Sequence, residues 1–335
     1  MAQHSLGHSI GRPKFFSRKR TIPISGRIRH RCLVPDQPRV IALVATRFRA
    51  DLLRRLLHSL ASQTIRPLAA VVCDNGPDTA TAEAAKQSSL PCELLSPGKN
   101  LGFGGGLASA GRKALEKFPD LSHLLVVDDD AVLASQDLEK LLTSAREHSA
   151  GCVAPFLIDA AGKLQEVPEP VSWPLARAFR ADGQDLQKAR SLAPKGYPLA
   201  WCIGPCLLVD RGTWLRAGPP RSDMLAFGDD VEFSLRLSAA SPAWAEPSVT
   251  VTHAPPSTSH LPLSTDDAHY KKFGMLLQNL AFTCVASPRP RHLPFYLPGN
   301  VRRFLRTFGY SPANLLEVSR RLLLGFFGRS AGSAL

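Results

Sequence analysis

The sequence predicts an α/β protein with a mostly parallel sheet flanked by helices. Apolar runs of the length of a buried strand alternate with helical segments four times within about 90 residues. This alternation is typical of right-handed βαβ units, which build parallel sheets. Polar residues directly follow several of the apolar runs, which indicates a ligand site at the carboxyl ends of the strands.

Most predicted elements lie between residues 40 and 285. In the first half, strands are expected at 40–45, 68–73, 92–95 and 123–127. Helices are expected directly after the first strand, at 79–88, and after a glycine-rich loop at 102–106 as far as Lys117. In the second half, strands are expected at 151–157, 201–209 and 248–252, and helices at 229–239 and 266–285. The proline-rich segment 160–196 has little periodicity, so we expect a long loop that can fold over a substrate.

The positive charge of the chain is concentrated at its two ends. The formal net charge is +13, but residues 1–39 hold nine lysines and arginines against one acid, and residues 286–335 hold eight arginines against one acid. The middle is close to neutral. We therefore expect a basic, disordered arm at 1–38, a globular domain at 39–285 and a basic amphipathic helical extension at 286–335. The arm also weakly resembles a transit peptide.

The C-terminal extension has the composition of a helix that lies on a membrane surface. Its segments around 300–308 and 312–327 combine arginine with leucine and phenylalanine at helical spacing. Arginine also favours contact with anionic lipid headgroups. This interpretation predicts a peripheral membrane contact. The alternative is a terminal helix that packs its apolar face on the core of the protein.

The cysteines indicate a reducing compartment. The chain has seven, an odd number, and no CxxC pair, so buried free thiols are expected rather than disulfides or a zinc site. No apolar run reaches the length of a membrane-spanning helix, and the N-terminal region lacks the apolar core of a secretory signal. These features predict a cytoplasmic protein.

Three consecutive acids, Asp128, Asp129 and Asp130, follow the predicted strand at 123–127. They repel one another, and a divalent cation is the natural compensation for that repulsion. Because alternate side chains share a face in an extended chain, Asp128 and Asp130 can reach the same ion while Asp129 points away. The alternative is a solvated acidic turn without a metal.

A second pair of acids, Asp229 and Asp230, opens the predicted helix at 229–239. Acids in the first turn favour the helix dipole, which is the structural explanation. The functional explanation is that one carboxylate projects into the cleft as a general base for a hydroxyl nucleophile. His253 ends the last predicted strand, and an imidazole beside carboxylates suits a transition metal such as manganese better than calcium.

The glycine-rich run from Asn100 to Gly106 precedes a predicted helix. Backbone amides in such a turn can approach a phosphate group. The run fits neither the P-loop pattern nor the complete dinucleotide-binding pattern. A tight turn before a helix is an equally good explanation.

Taken in order, these residues resemble family 2 glycosyltransferases, which have the Rossmann-like GT-A fold. The resemblance spans roughly 40–285. Its matches are Val44-Ala-Thr46 with Gln63, Val71 to Gly76, Asn100-Leu-Gly102, Val127 to Asp130, Phe227 to Phe233 with Arg236, and His253. The branch with bacterial galactofuranosyltransferases and rhamnosyltransferases is most similar, since its triple acid, its acid-aromatic run and its following histidine look like those here.

The resemblance implies an inverting, metal-dependent transfer of a sugar, galactofuranose or rhamnose, from a UDP- or dTDP-linked donor. The acceptor hydroxyl would belong to a glycan or a lipid-linked molecule in cell-envelope polysaccharide synthesis. Asp128 and Asp130 look like the metal-binding pair for Mn²⁺ or Mg²⁺, with His253 as the third ligand. Asp230 looks like the general base and Asp229 like its acidic neighbour.

The resemblance also implies which residues surround the substrates. Asp74 looks like the carboxylate that holds the nucleotide base. Trp201 resembles an aromatic residue that precedes the acceptor side of the cleft. The remaining matches to the nucleotide-sugar site are Thr46, Gln63, Asn100, Gly102 and Asp129.

Two other functions are compatible with parts of the sequence. A sugar nucleotidyltransferase should have a basic glycine-rich loop after the first strand, but residues 46–50 contain no glycine. A nucleic-acid-binding protein is suggested by the basic pI of about 9.8. The basic residues lie in the two tails, however, without zinc-finger spacing or a cluster of stacking aromatics, so we predict no nucleic-acid partner.

Overall fold

The first half of the chain folds as the predicted alternation of strands and helices. In the computed structural model its elements are β1 (Val40–Thr46), α1 (Ala50–Ala61), β2 (Ala69–Asp74), α2 (Thr79–Gln87), β3 (Cys92–Leu95), α3 (Gly102–Lys117) and β4 (His123–Val127). The structure describes residues 37–183, 185–224, 227–253, 267–287, 290 and 292–331. The predicted basic arm, residues 1–38, lies almost entirely outside these ranges.

The second half adds short strands and a set of C-terminal helices. Its elements are β5 (Ala131–Val132), α4 (Asp137–Glu147), β6 (Cys152–Ile158), β7 (Leu164–Glu166), β8 (Glu169–Pro170), α5 (Trp173–Asp182), α6 (Leu186–Leu192), β9 (Tyr197–Trp201), β10 (Cys206–Asp210), α7 (Arg211–Ala217), α8 (Asp229–Ala240), β11 (Ala243–His253), α9 (Asp267–Ala286), α10 (Leu293–Phe308) and α11 (Pro312–Phe326). The predicted helical extension at 286–335 corresponds to α10 and α11.

The strands of the described residues form one mixed sheet of order β3-β2-β1-β4-β10-β6-β11-β9-β8, with β5 beside β11 and β7 beside β6. The first four strands of this path are mutually parallel. β10 runs antiparallel to both β4 and β6, so β6 points in the same direction as β4. Because β11 is parallel to β6, the carboxyl ends of β1, β2, β4 and β11 lie at one edge of the sheet.

The central strands are apolar on both faces because the core covers the sheet on both sides. Along β1, Ile41 and Leu43 face one layer of the core, whereas Val40, Ala42 and Val44 face the other. All five are completely buried. Burial of a side chain of leucine or valine size contributes roughly 1.5–3 kcal/mol, so the central strands form a rigid base for the polar residues at their ends.

A third apolar cluster joins α8 to the C-terminal helices. It includes Leu235 of α8, Phe273 of α9 and Phe304 of α10. α11 packs closely along α9 at Gly325, where a Cβ atom would collide with the backbone carbonyl of Gln278. The inner face of the C-terminal extension therefore packs on the rest of the described chain.

The prediction of a long loop at 160–196 is wrong. This segment holds β7, β8, α5 and α6. Its prolines lie at the ends of elements or between them and interrupt none. Pro174 lies in the first turn of α5, where its missing N–H costs no hydrogen bond, and Pro170 ends the short strand β8 at the end of the sheet.

Two other local predictions are also wrong. The single strand expected at 201–209 is divided at 202–205 into β9 and β10. The glycine-rich segment 102–106 is the first turn of α3, not a loop before it. At 201–209 the turn residues Gly204-Pro205 lie at the break between the two strands, and at 102–106 the run of glycines concealed an early helix start.

The structure also bears on the cysteines and on membrane spans. The six cysteines in the described ranges are free thiols, and Cys32 lies outside those ranges. No helix among the described residues is both long and apolar enough to cross a bilayer.

Candidate active site

Polar side chains meet at the sheet edge formed by the carboxyl ends of β1, β2, β4 and β11. Thr46 ends β1, Asp74 ends β2, the three acids follow β4, and His253 ends β11. The acid pair at the start of α8 lies near the same edge, because the amide of Asp128 donates to the carbonyl of Pro205 at 3.0 Å and the amide of the adjacent Gly204 donates to Asp230 at 3.1 Å. The chain therefore gathers residues from four strands and one helix into one acidic site.

Asp128, Asp130 and His253 form a cluster with the geometry of a metal site. One ligand atom from each residue lies within 4.8 Å of the other two. Nε2 of His253 lies 3.4 Å from a carboxylate oxygen of Asp130 and 4.0 Å from one of Asp128. The structure thus brings together the three residues predicted as metal ligands, although His253 lies far from the two acids in the sequence.

Strand pairing places His253 beside the acids. β5 follows the triple acid directly and pairs antiparallel with the end of β11, so His253 lies opposite Ala131. Gln165 of β7 donates its Nε2 to the carbonyl of His253, and its Oε1 lies 3.1 Å from Nδ1 of the imidazole. An acceptor at Nδ1 holds the ring proton there and leaves the Nε2 lone pair directed at the acids.

The residues in this cluster fit a divalent cation. Oδ1 of Asp128 and Oδ1 of Asp130 are buried, and neither accepts a hydrogen bond from the described residues. Burial, together with repulsion from the neighbouring acids, raises the pKa of the Asp128 carboxyl well above its usual range. A bound cation reverses this electrostatic effect, and carboxylate with imidazole is a ligand set found around transition metals.

Asp129, the middle acid, has different partners. It accepts a hydrogen bond of 2.7 Å from the hydroxyl of Thr46 at the end of β1. Nη1 of Arg49 lies 3.1 Å from Asp129 and 3.4 Å from Asp130. Asp129 therefore joins β4 to β1, and the guanidinium of Arg49 compensates part of the negative charge of Asp129 and Asp130.

The acid pair on α8 follows a turn that requires glycine. Gly228 has a φ of 86°, in the left-handed region. Asp230 accepts hydrogen bonds from the backbone amides of Gly204 at 3.1 Å and Val231 at 2.7 Å. Burial raises the pKa of Asp230; burial and the charge of Asp230 raise the pKa of Asp229 to about 7. The pair therefore holds a proton more readily than exposed carboxylates do.

Asp74 lies beside Thr46 at the ends of β2 and β1. The two residues are in register, and the amide of Asn75 donates to the carbonyl of Thr46 at 2.8 Å. Asp74 is almost completely buried and accepts the amide of Gly76 at 3.0 Å. Burial raises the pKa of its carboxyl, and backbone amides partly offset that effect.

Asn75 connects the end of β2 to the start of α3. Its Oδ1 accepts the amide of Leu101, and its Nδ2 donates to the carbonyl of Gly102. Asn100 in turn accepts the amide of Gly102 through its side chain at 3.0 Å. The predicted binding residues Asn100 and Gly102 therefore lie next to the end of β2, which holds Asp74.

The glycines of α3 have a packing role. A Cβ atom at Gly104 would collide with the backbone carbonyl of Arg221 and lie 3.3 Å from Oδ2 of Asp229. A Cβ at Gly106 would lie 2.9 Å from Ala45 of β1. The run thus lets α3 approach both the sheet and the acid pair, which is a structural reason for glycine at these positions.

Two of the predicted binding residues are engaged in the scaffold. Gln63 donates Nε2 to the carbonyls of Ser59 and Ala134, and its Oε1 accepts the amide of Leu138 at 3.0 Å. Its amide group therefore joins α1 to the start of α4. Trp201 is only 2% exposed and belongs to the third apolar cluster. Their roles toward a substrate stay predictions.

Sequence reasoning missed two residues of the site. Arg49 lies just after β1, where a cation opposite three acids could have been expected from charge alone. Gln165 lies on β7, inside the segment wrongly predicted as a loop, and no pattern in the sequence links it to His253. Both residues hold predicted site residues in place through hydrogen bonds.

Comparison with known proteins decides what this site belongs to. The family model described as Glycosyl transferase family 2 matches residues 41–195, which include the whole predicted donor side from β1 to the triple acid. The chain contains a family 2 glycosyltransferase domain. The glycosyltransferase activity implied by the resemblance is thereby confirmed as the enzyme class.

Two curated relatives lie in the predicted branch. An N-acetylglucosaminyl-diphospho-decaprenol L-rhamnosyltransferase of Mycobacterium tuberculosis is 29% identical over 245 residues, which cover 65% of this chain and 77% of the relative. Galactofuranosyltransferase GlfT1 of Mycolicibacterium smegmatis is 31% identical over 202 residues, which cover 59% of this chain and 65% of that protein. This glycosyltransferase is therefore similar to enzymes for both predicted sugars.

A solved structure agrees with the predicted fold. Mannosyltransferase PcManGT from Pyrobaculum calidifontis, in complex with GDP-Man and Mn²⁺, superposes with a TM-score of 0.52 and 20% identity, covering 86% of this chain and 81% of the other. At this identity the likeness concerns the fold alone. The α/β architecture of this glycosyltransferase is the GT-A fold.

Proposed function

We propose that this glycosyltransferase is inverting and metal-dependent, and that it transfers galactofuranose or rhamnose from a UDP- or dTDP-linked donor to a hydroxyl of a glycan or lipid-linked acceptor. Cell-envelope polysaccharide synthesis is the process in which such a product is used. The observation that supports this most is the cluster of Asp128, Asp130 and His253, with Asp230 near the same sheet edge.

Asp128, Asp130 and His253 are proposed to hold a divalent ion, Mn²⁺ or Mg²⁺. Such an ion, when bound, would supply positive charge to stabilise the negative charge that develops on the departing diphosphate. Arg49 contributes a fixed positive charge beside two of the acids. Gln165 orients the imidazole of His253 through Nδ1.

Asp230 is proposed to remove the proton from the acceptor hydroxyl. The hydroxyl oxygen attacks the anomeric carbon as the bond to the nucleotide diphosphate breaks, so a single displacement inverts the configuration at that carbon. The amides of Gly204 and Val231 fix the carboxylate of Asp230 in position. Asp229 is buried beside it and shares the negative charge of the pair.

The donor nucleotide is proposed to bind at the β1–β2 end of the sheet edge. Asp74 holds the base there, and Thr46, Gln63, Asn100, Gly102 and Asp129 form its surroundings. Two contacts support this location: Asp74 is in register with Thr46, and Asn75 joins both to the start of α3. Trp201 is proposed to support the acceptor side from within the apolar cluster.

A panel of nucleotide sugars tests the proposed reaction. UDP-galactofuranose, dTDP-rhamnose, UDP-GlcNAc and GDP-mannose are compared by thermal shift and by donor hydrolysis, each with and without Mn²⁺. Saturation with the correct donor and metal is expected to raise the Tm by roughly 5 °C, since binding to the folded state alone stabilises it. A shift with UDP-galactofuranose or dTDP-rhamnose supports the proposal, and the absence of a shift or hydrolysis with every donor contradicts it.

The outer face of α11 is proposed to contact a membrane surface, as expected for an enzyme that works on a lipid-linked acceptor from the cytoplasmic side. Its exposed apolar residues are Leu315, Leu316, Leu323, Phe326 and Phe327, which lie within an arc of about 120° at 3.6 residues per turn. Phe327 is 80% exposed and Leu316 71%. Exposed arginines on α10 and α11 supply positive charge for anionic headgroups.

Flotation with liposomes tests this contact. The full chain is expected to float with vesicles that contain phosphatidylglycerol and more weakly with pure phosphatidylcholine. The triple variant L316Q/L323Q/F327Q should lose at least about tenfold in binding, because each side chain would otherwise bury apolar surface in the bilayer. The matched control is L215Q, which changes an exposed leucine on α7. Absence of binding by the unaltered chain, or equal binding by the triple variant, contradicts the contact.

A further inference from the structure

Two large aromatic side chains are exposed next to each other at the start of α5 and the start of α10. Trp173 is 40% exposed and Phe295 is 72% exposed. Their ring centroids lie 5.3 Å apart, and the guanidinium of Arg180 lies 5.3 Å from the centre of the Trp173 ring. Apolar rings of this size left open to solvent often mark a binding surface.

A partly buried ionic network fixes this aromatic pair. One carboxylate oxygen of Glu169 lies 2.6 Å from Nη2 of Arg180 and 2.9 Å from Nδ1 of His292. The ring of His292 packs edge-on against Trp173 at 4.8 Å. The network joins β8, α5 and the residue that precedes α10. A ligand that binds to the pair therefore does not have to order it first.

Backbone contacts place the network close to the proposed base. Glu169 of β8 pairs with Trp201 of β9. The chain then runs from Trp201 to Gly204, whose amide donates to Asp230. Three residues of chain span at most about 10 Å. The end of β9 is also attached to α8, because Ser234 both donates to and accepts from the backbone of Cys202.

Electrostatics supports the same proximity. Burial, with the charges of Asp230 and Glu169, raises the pKa of the Glu166 carboxyl to about 8. Glu166 on β7 therefore lies in the field of both the proposed base and the network below the aromatic pair. Glu166 therefore connects Asp230 with the Arg180–Glu169–His292 network along one side of the site.

We propose that Trp173 and Phe295 form a stacking platform for a sugar ring of the acceptor. This inference rests on the proposed function, because it takes Asp230 as the base that the acceptor hydroxyl approaches. The C–H face of a pyranose ring is apolar and packs on an aromatic ring, while its hydroxyl edge needs hydrogen-bonding partners. The Arg180–Glu169–His292 network supplies polar groups beside the rings.

The order of the strands separates this platform from the donor. Asp74 lies on β2, the metal cluster lies on β4 and β11, and the platform is attached to β8 at the opposite end of the sheet path. A nucleotide base held at Asp74 is therefore several strands away from Trp173. The ligand of the platform is the acceptor sugar rather than the nucleotide.

Kinetics with a soluble acceptor tests the platform. The probe is N-acetylglucosaminyl diphosphate carrying a short alkyl chain, used with the donor identified by the nucleotide-sugar panel. W173A and F295A are each expected to raise the KM for this acceptor about tenfold, with W173F intermediate. Donor hydrolysis without acceptor, and the thermal shift with donor and Mn²⁺, should stay within twofold of the unaltered enzyme. Y310A is the matched control, because Tyr310 is an exposed aromatic beyond the end of α10.

A second measurement reports binding without turnover. Saturation-transfer NMR with the same probe should show contact of the sugar protons with the full chain, and W173A should abolish it. An unchanged KM in W173A, or absent sugar-proton contact in the unaltered chain, overturns the platform. An equal loss of donor hydrolysis in W173A also overturns it, because the residue would then support the fold. Failure of every donor to bind would instead contradict the proposed function.

Discussion

Replacement of Asp230 by asparagine is expected to slow sugar transfer by about 10²–10⁴, the usual contribution of a general base. Asparagine has nearly the same size and retains an acceptor for the amide of Gly204 or Val231, so the start of α8 should keep its structure. It has no basic oxygen to take the acceptor proton. The measurement is the initial rate of transfer at saturating donor, with donor affinity followed by calorimetry and expected to change less than about threefold.

The pH dependence gives this prediction a second readout. A general base acts only when deprotonated, and burial raises the pKa of Asp230 above its ordinary value. The rate of the unaltered enzyme should therefore rise with pH through a pKa above the ordinary value of about 4 for aspartate. The residual rate of D230N should lack this acidic limb.

The neighbouring acid is the comparison that identifies the base. D229N removes an adjacent carboxyl from the same helix turn and is expected to reduce the rate less than D230N. Its removal also lowers the repulsion on Asp230, so the acidic limb should move to lower pH. A larger loss in D229N, or an unchanged rate in D230N, would assign the proton transfer to the other acid.

The residues of the acid cluster could be predicted because each follows an apolar strand. The strand at 123–127 is apolar after His123, so the acids that follow it were expected at the sheet edge. His253 could be placed at a strand end in the same way. Its proximity to Asp130 depends on β5, a strand of two residues that pairs with β11. A strand so short has no sequence pattern of its own, and only the resemblance to a family suggested that His253 joins the acids.

The acceptor side could not be predicted from sequence because its elements are short. β7 has three residues and β8 has two, and prolines at 168, 170 and 174 conceal the helix that follows. Periodicity needs longer windows than these. The contacts of Gln165, Glu169 and Trp173 therefore emerge only from tertiary packing, and Trp173 is one of the two rings of the proposed platform.

The proposed metal site predicts that Mn²⁺ reverses the order of stability of D128N and the unaltered chain. Without metal, Asp128 is a partly buried carboxyl near four other acids, and its buried Oδ1 accepts no hydrogen bond from the described residues. An amide of the same shape removes the repulsion, so metal-free D128N should be as stable as the unaltered chain or more stable. With excess Mn²⁺ the order should reverse, because a ligand that binds only the folded state at 100 times its Kd adds about 2.7 kcal/mol of stability.

Thermal unfolding with and without Mn²⁺ measures both halves of this prediction. H253A should also lose the stabilisation by Mn²⁺, and both variants should lose at least about tenfold in metal affinity and in transfer rate. The control is H58A, which removes an exposed histidine on α1 and should respond to Mn²⁺ like the unaltered chain. If metal-free D128N were much less stable, the carboxylate would serve the fold rather than an ion. If Mn²⁺ still stabilised D128N and H253A fully, the ion would bind elsewhere. The reversal is specific, because only a carboxylate that is unfavourable alone and favourable with a cation produces it.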